Sequence, residues 1–212
     1  MKILVFSDSH LTDKFEIKKF NFLKRIISEA DQVIINGDFW DGEMTTFNQF
    51  IASDWNKLFP ILKERKTVYI YGNHDRKSYS NNKVNLFSLK QGYIYNLKQN
   101  GINYIIEHGN RFFITPDEFL PRSITRYSTL ITGFFMQKFT FLQFILKKAN
   151  EIMKSKIQKE LKNNDIYVCG HSHWSEFDLK NNFINTGCIE SGLAQYLIID
   201  DQKITPMEER YY

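Results

Sequence analysis

The chain opens on Met1-Lys2-Ile3-Leu4-Val5-Phe6-Ser7-Asp8-Ser9-His10, and the change of character between Phe6 and Ser7 decides how the rest is read. Ile3 to Phe6 form a short unbroken apolar run, the pattern of a strand buried on both faces. The polar loop Ser7-Asp8-Ser9-His10 follows at once. The same transition recurs. Val33-Ile34-Ile35 runs into Asn36-Gly37-Asp38, Val68-Tyr69-Ile70-Tyr71 into Gly72-Asn73-His74-Asp75, Tyr104-Ile105-Ile106 into Glu107-His108-Gly109, and Ile166-Tyr167-Val168-Cys169 into Gly170-His171-Ser172-His173. In open α/β sheets the loops at the carboxyl ends of neighbouring strands converge on the ligand crevice, so these loops are expected to share one site.

Outward from these runs, strands rich in Ile, Val and Tyr are expected at 2–6, 32–36, 67–71, 102–107, 165–169, 183–186, 194–200 and 203–207. A 3.6-residue period predicts one helix over 15–30, with Phe20, Leu23, Ile26 and Ile27 on a stripe. It predicts another over 47–64, with Phe50, Ile51, Trp55, Leu58 and Leu62 aligned. After residue 170, short strands separated by Lys180-Asn181-Asn182 and Asp200-Asp201-Gln202 predict antiparallel hairpins. The expectation is an α/β fold, sheets with helices outside, forming a single domain over residues 1–212.

Composition narrows the class. With 42% apolar and 25% charged residues the chain is neither disordered nor fibrous. Two cysteines, Cys169 and Cys188, cannot build a disulfide framework or a Cys-rich zinc module, and both read best as buried thiols in a reducing compartment. The first apolar run is too short for a signal peptide, and no stretch of about 18 uncharged apolar residues follows, so a cytoplasmic location is expected. The +4 net charge is concentrated: residues 119–162 carry nine Lys or Arg against two acids, or +7, and the remainder carries −3.

All five histidines, His10, His74, His108, His171 and His173, lie in the loops that end the apolar runs, together with Asp8 and Asp38. One such histidine is ordinary; five of five are not. Neutral imidazoles and ionised carboxylates aimed at one spot are what a divalent metal with nitrogen and oxygen ligands requires, and there are enough for two ions. Residues i and i+2 on an extended segment project to the same side, so Asp8 with His10, and His171 with His173, can act as pairs.

The ordered set Asp8-x-His10, Gly37-Asp38, Gly72-Asn73-His74-Asp75, His108-Gly109 and Gly170-His171-x-His173 resembles the calcineurin-like metallophosphoesterase superfamily. The resemblance implies a four-layer αββα sandwich, two mixed sheets flanked by helices, around a dinuclear site. By that likeness Asp8, His10, Asp38 and His173 would hold one metal, and Asp38, Asn73, His108 and His171 the other, with Asp38 bridging. His74 would contact the phosphate alongside Asn73, and Asp75 would orient His74; these two are the catalytic residues that the resemblance implies. Asp41 resembles the second acid of the family's Gly-Asp-x-x-Asp pattern and is expected to hydrogen-bond near the ligands. The implied cofactors are two divalent ions, manganese first, with iron, zinc, cobalt or nickel as alternatives. The implied reaction is hydrolysis of a phosphodiester or phosphomonoester by a metal-bridging hydroxide, generated by ions roughly 3.5–4 Å apart.

The basic, aromatic segment points to substrate. Residues 117–162 read as a helical insertion, either a helical pair packed on the core or a lid whose 119–148 stretch meets a lipid or an anionic membrane surface. The lid's placement is similar to that of the UDP-2,3-diacylglucosamine hydrolases, which implies pyrophosphate cleavage on a lipid-linked nucleotide sugar at the inner membrane face, with Arg111, Arg122 and Arg126 as phosphate contacts. The sequence departs from that subgroup at His74, where those enzymes carry Arg. A protein serine/threonine phosphatase would show Arg after Asp41, where Gly42 and Glu43 stand. Nucleic acid is a poor fit, because the basic residues are interleaved with apolar ones. A non-catalytic scaffold would be expected to have lost ligands, and every ligand position is filled.

Overall fold

The computed structural model describes residues 1–115, 140–162, 165–201 and 203–212. Its strands are β1 (Ile3–Phe6), β2 (Gln32–Asn36), β3 (Val68–Ile70), β4 (Lys90–Gly92), β5 (Ile94–Gln99), β6 (Ile102–Glu107), β7 (Asp165–Cys169), β8 (Glu176–Asp178), β9 (Phe183–Asn185), β10 (Ile189–Glu190), β11 (Leu193–Ile199) and β12 (Ile204–Arg210). The helices are α1 (Ile17–Ser28), α2 (Phe47–Ala52), α3 (Phe59–Glu64) and α4 (Thr140–Ile157).

Two mixed sheets result. The first runs β10-β11-β1-β2-β3-β4, parallel from β1 to β4, and β12 pairs along the other edge of β11. β10 and β1 take successive halves of one edge of β11, at Leu193–Ala194 and Leu197–Ile199. The second sheet runs β5-β6-β7-β9-β8, with β6, β7 and β9 parallel. The hairpins expected after residue 170 form as β8–β9 and β11–β12.

The alternation of side chains explains the layers. Leu4, Phe6, Val33, Ile35 and Tyr69 face Leu23, Ile27, Phe50 and Leu62 of the helices. Ile3, Val5, Ile34 and Ile70 point the other way, onto Tyr104, Ile106, Val168 and Ile184 of the second sheet. Tyr167, Cys169 and Phe183, on the far face of that sheet, meet Met153 and Ile157 of α4. Strands apolar on both faces therefore lie between a helical layer and a second sheet, giving the αββα order expected from the resemblance.

Residues 47–64 are not one helix. Ser53 is extended (φ −75°, ψ 170°), a 3₁₀ turn spans Asp54–Leu58, and Pro60 sits in the first turn of α3, where its missing N–H has no helical partner to lose. The apolar stripe persists because Trp55 and Leu58 are three apart, one turn of a 3₁₀ helix. Trp40 is fully buried and stacks on Phe50, so it serves packing.

Within the 117–162 insertion, α4 is helical as expected, and its Ala149, Met153 and Ile157 are buried at four-residue spacing. Arg122, Arg126 and the first half of the insertion lie outside the described residues. No helix among the described residues is long and apolar enough to cross a membrane.

Candidate metal centre

The carboxyl ends of β1, β2 and β3 in one sheet and of β6 and β7 in the other bring the polar loops together. The Asp8 loop is laced to the Asp38 loop by Asp8 N–H to Gly37 O (3.1 Å), Ser9 N–H and His10 N–H to Asp38 O (2.9 and 3.0 Å) and Leu11 N–H to Phe39 O (3.0 Å). Gly170 N–H donates to His108 O across β6 and β7 (3.0 Å). Asn36 joins the two sheets beneath the site: fully buried, it donates from Nδ2 to Glu107 O (3.1 Å).

Backbone strain is concentrated here. Of the nine non-glycine residues with positive φ among those described, five are Asp8, His10, Asp38, His171 and His173. Each costs about 1–3 kcal/mol and persists only where surrounding contacts over-determine it, as at functional sites. Gly37 has φ +84°, and a Cβ there would also run into the His108 ring, so both backbone and space call for glycine.

The ligand candidates fall into two adjoining sets. Single donor atoms of Asp8, His10 and His173 lie within 4.8 Å of one another, and so do those of Asp38, His108 and His171. His173 Nε2 is 3.3 Å from Asp8 Oδ1 and 3.2 Å from His10 Nε2. Asn73 Oδ1 is 3.0 Å from His108 Nε2. Asp38 joins the sets: its Oδ2 lies 3.1 Å from His108 Nε2 and 3.8 Å from His10 Nε2, while Oδ1 accepts the His74 amide at 2.9 Å. All seven residues expected to bind metal are thus brought together.

Hydrogen bonds orient these rings. His108 donates from Nδ1 to Asn36 O (2.9 Å), which leaves Nε2 facing Asp38. His171 donates from Nε2 to Phe113 O (2.6 Å), which leaves the Nδ1 lone pair available to a ligand. A buried polar bridge holds the same loop. Asn150 of α4 donates to Trp174 O (2.9 Å), accepts from Ser172 Oγ (2.6 Å) and accepts from Asn185 Nδ2 (2.9 Å).

The charge pattern fits cations. Burial opposes ionisation of Asp8, but the His173 and His108 charges outweigh it and hold the carboxyl below its usual range. Asp38 is likewise held well below, burial being overcome by His108 and His74. Burial pushes the His108 imidazole down, yet Asp38 and Asp8 raise it to about 9. His171 is pushed to about 4 by burial and by the His108 charge. Buried carboxylates therefore draw positive charge among them, and His10 and His173 present two Nε2 atoms at 3.2 Å, which can bond directly only if one is protonated. A divalent ion satisfies both lone pairs and both carboxylates, so the donor set suits the group that the fold implies.

His74 is oriented differently from the sequence expectation. Asp75 was expected against its ring, but the Asp75 carboxylate is fully buried and accepts from Phe39 N (2.8 Å) and Gly72 N (2.6 Å), holding the β2 and β3 loops together. Asp41 takes that place, with Oδ1 at 3.2 Å from His74 Nδ1 and Oδ2 at 3.9 Å from His10 Nδ1. The Asp41 carboxylate is itself fixed by the amides of Glu43 (2.9 Å) and Met44 (3.3 Å). Arg111, expected on phosphate, forks onto Glu160 (2.8 Å) and Glu107 and lies 3.9 Å above the Phe112 ring. Cys169 is buried as expected, whereas Cys188 is only half-buried and has its sulfur within 4.8 Å of donor atoms of His173 and Glu190. Asn36, Asn150 and Glu190 were not singled out from sequence, where nothing distinguishes them from other polar residues at strand and helix positions.

A carboxylate–imidazole centre at the carboxyl ends of two facing mixed sheets defines a metal-dependent phosphoester hydrolase. A family model described as calcineurin-like phosphoesterase matches residues 1–175, and the chain belongs to that family. No curated protein sequence matches it significantly. Among solved structures it is similar to a novel archaeal phosphodiesterase, with 17% identity over 98% of this chain and 99% of that one and a TM-score of 0.51. It is also similar to zinc-bound wild-type Vps29 from Entamoeba histolytica, with 13% identity over 100% of both chains and a TM-score of 0.50. At these identities the likeness shows the fold.

Proposed function

We propose that the chain is a dinuclear phosphoesterase that hydrolyses a phosphodiester or phosphomonoester, with Asp8, His10, Asp38 and His173 holding one ion and Asp38, Asn73, His108 and His171 the other. The observation that carries this reading is Asp38, whose Oδ2 stands between His108 at 3.1 Å and His10 at 3.8 Å, one from each set. When bound, two divalent ions supply an activated water and neutralise charge on the phosphate oxygens. The nitrogen and oxygen donors suit manganese, our first choice, and also iron, cobalt and zinc.

The chain's own groups supply the rest. Asp41 accepts from His74 Nδ1, so the proton that His74 delivers to a leaving oxygen, or holds against a phosphate oxygen, sits at Nε2. Phe144 and Ile145 stand exposed on α4 beside the exposed Lys147 and Lys148, and this face supports contact with a lipid or an anionic surface. The test is to assay manganese-loaded protein against a phosphodiester, a phosphomonoester and a UDP-linked lipid, following products by phosphorus NMR. Hydrolysis of the diester or monoester is the expected result. UMP release from the lipid alone would assign the pyrophosphate reaction instead, and hydrolysis of none with two ions bound would refute the enzyme reading.

A further inference from the structure

Glu190 lies outside the sequence motifs and outside the two ligand sets of Asp8 and Asp38, although it stands with Cys188 beside His173. It ends β10, the two-residue strand whose Ile189 amide donates to Asp8 O at 3.1 Å, so its backbone is pinned to the first ligand of the site. On its other side Glu190 pairs with Leu193 of β11. From this anchored place the carboxylate Oε2 lies 3.2 Å from His173 Nδ1. His173 turns its remaining nitrogen, Nε2, toward Asp8 at 3.3 Å and His10 at 3.2 Å. Its backbone is left-handed (φ 58°), a conformation most side chains avoid. Burial opposes the Glu190 charge, and His10, His173 and the buried Lys19 ammonium, which donates to Ser9 O, favour it.

We infer that Glu190 is a positioning residue for the first metal, accepting the Nδ1 proton of His173 so that the Nε2 lone pair is aimed at the ion. The inference rests on the dinuclear reading above and deepens it. A carboxylate behind a ligating imidazole fixes the tautomer and raises the basicity of the ligand, and its loss typically costs 10- to 100-fold in metal affinity. Glu190 is not itself a ligand in this account, because its facing oxygen is taken up by the imidazole N–H.

Two variants and one resonance test this. Apo protein is titrated with Mn²⁺ by calorimetry, and bound metal is counted after gel filtration. Wild type should bind two ions. Glu190→Ala should bind one of them about 10- to 100-fold more weakly and leave the other unchanged. Glu190→Gln keeps an oxygen that accepts from Nδ1–H and should stay within a few-fold of wild type. Unchanged affinity at both sites in Glu190→Ala would overturn the inference, and so would equal losses in the Gln and Ala variants, which would make Glu190 a ligand. In zinc-loaded wild type, long-range ¹H–¹⁵N spectra should place the His173 proton on Nδ1; a proton on Nε2 would overturn the inference without any variant. A wild-type protein that binds no Mn²⁺ would refute the dinuclear reading itself, an outcome distinct from all of these.

Discussion

Replacing Gly37 by Ala separates the geometry of the site from the stability of the fold. Gly37 has φ +84°, and an added Cβ would lie 2.8 Å from His108 Cβ and nearer still to the ring's Cγ and Nδ1. Carbon atoms normally meet at roughly 3.5–4.0 Å, so the imidazole must retreat by about 1 Å. That breaks the 2.9 Å bond from His108 Nδ1 to Asn36 O and carries Nε2 away from Asp38 and Asn73. Left-handed strain costs about 1–2 kcal/mol and the lost hydrogen bond about 1 kcal/mol, for a total of about 2–3 kcal/mol. For a chain of this size that lowers Tm by about 5–10 °C. A misplacement of about 1 Å at a reacting centre costs roughly 100-fold in rate. Gly101→Ala is the control. Gly101 has φ +77°, but nothing lies within 4 Å of the added Cβ, so this variant should lose about 1–2 kcal/mol and keep full activity. Differential scanning calorimetry with a phosphodiester assay reads both. If Gly37→Ala hydrolyses substrate at the wild-type rate, the placement of His108 in the reactive centre is wrong.

Other expectations follow from the same contacts. His74→Ala should lose about 10²- to 10⁴-fold in turnover yet bind two metals, whereas Asp38→Ala should lose metal as well; turnover with elemental analysis distinguishes them. Stripping metal with EDTA should lower Tm, because an ion present at about 100 times its Kd contributes about 2.7 kcal/mol to the folded state, and readdition should restore it. The salt bridges of Lys154 to Glu176 and to Asp178 (2.6 Å) fasten α4 to β8, and the Lys154 bond lowers the Asp178 carboxyl to about 2. A depressed carboxyl stabilises the fold above its unfolded pKa, and that stability is lost as pH falls from about 4 toward 2. Lys154→Met should flatten this part of an acid-denaturation curve.

The sequence was most legible where burial forces a pattern. β1, β2, β3, β6 and β7 are apolar on both faces because each lies between two layers, so their ends, and the candidate ligands that follow, stand out in the chain. Edge strands carry no such signal. β4 reads Lys90-Gln91-Gly92 and β5 is largely exposed, so neither was expected, although Asn100-Gly101, both with positive φ, marks the β5–β6 turn. Partnership was less legible than ligation. Asp75 adjoins His74 in sequence, but its carboxylate is taken up by the Phe39 and Gly72 amides, and Asp41 reaches the ring from the β2 loop instead. Glu190 meets His173 where β10 is tied to the first loop by Ile189 N–H to Asp8 O, a long-range contact that no local spacing encodes.

The most direct test titrates metal-free protein with Mn²⁺ while following hydrolysis of a chromogenic phosphodiester and counting bound ions in the same samples. The account predicts that activity appears as occupancy approaches two ions per chain, that EDTA abolishes it, and that Asp38→Ala never acquires it. Hydrolysis that persists in metal-free protein, or in Asp38→Ala, would contradict it.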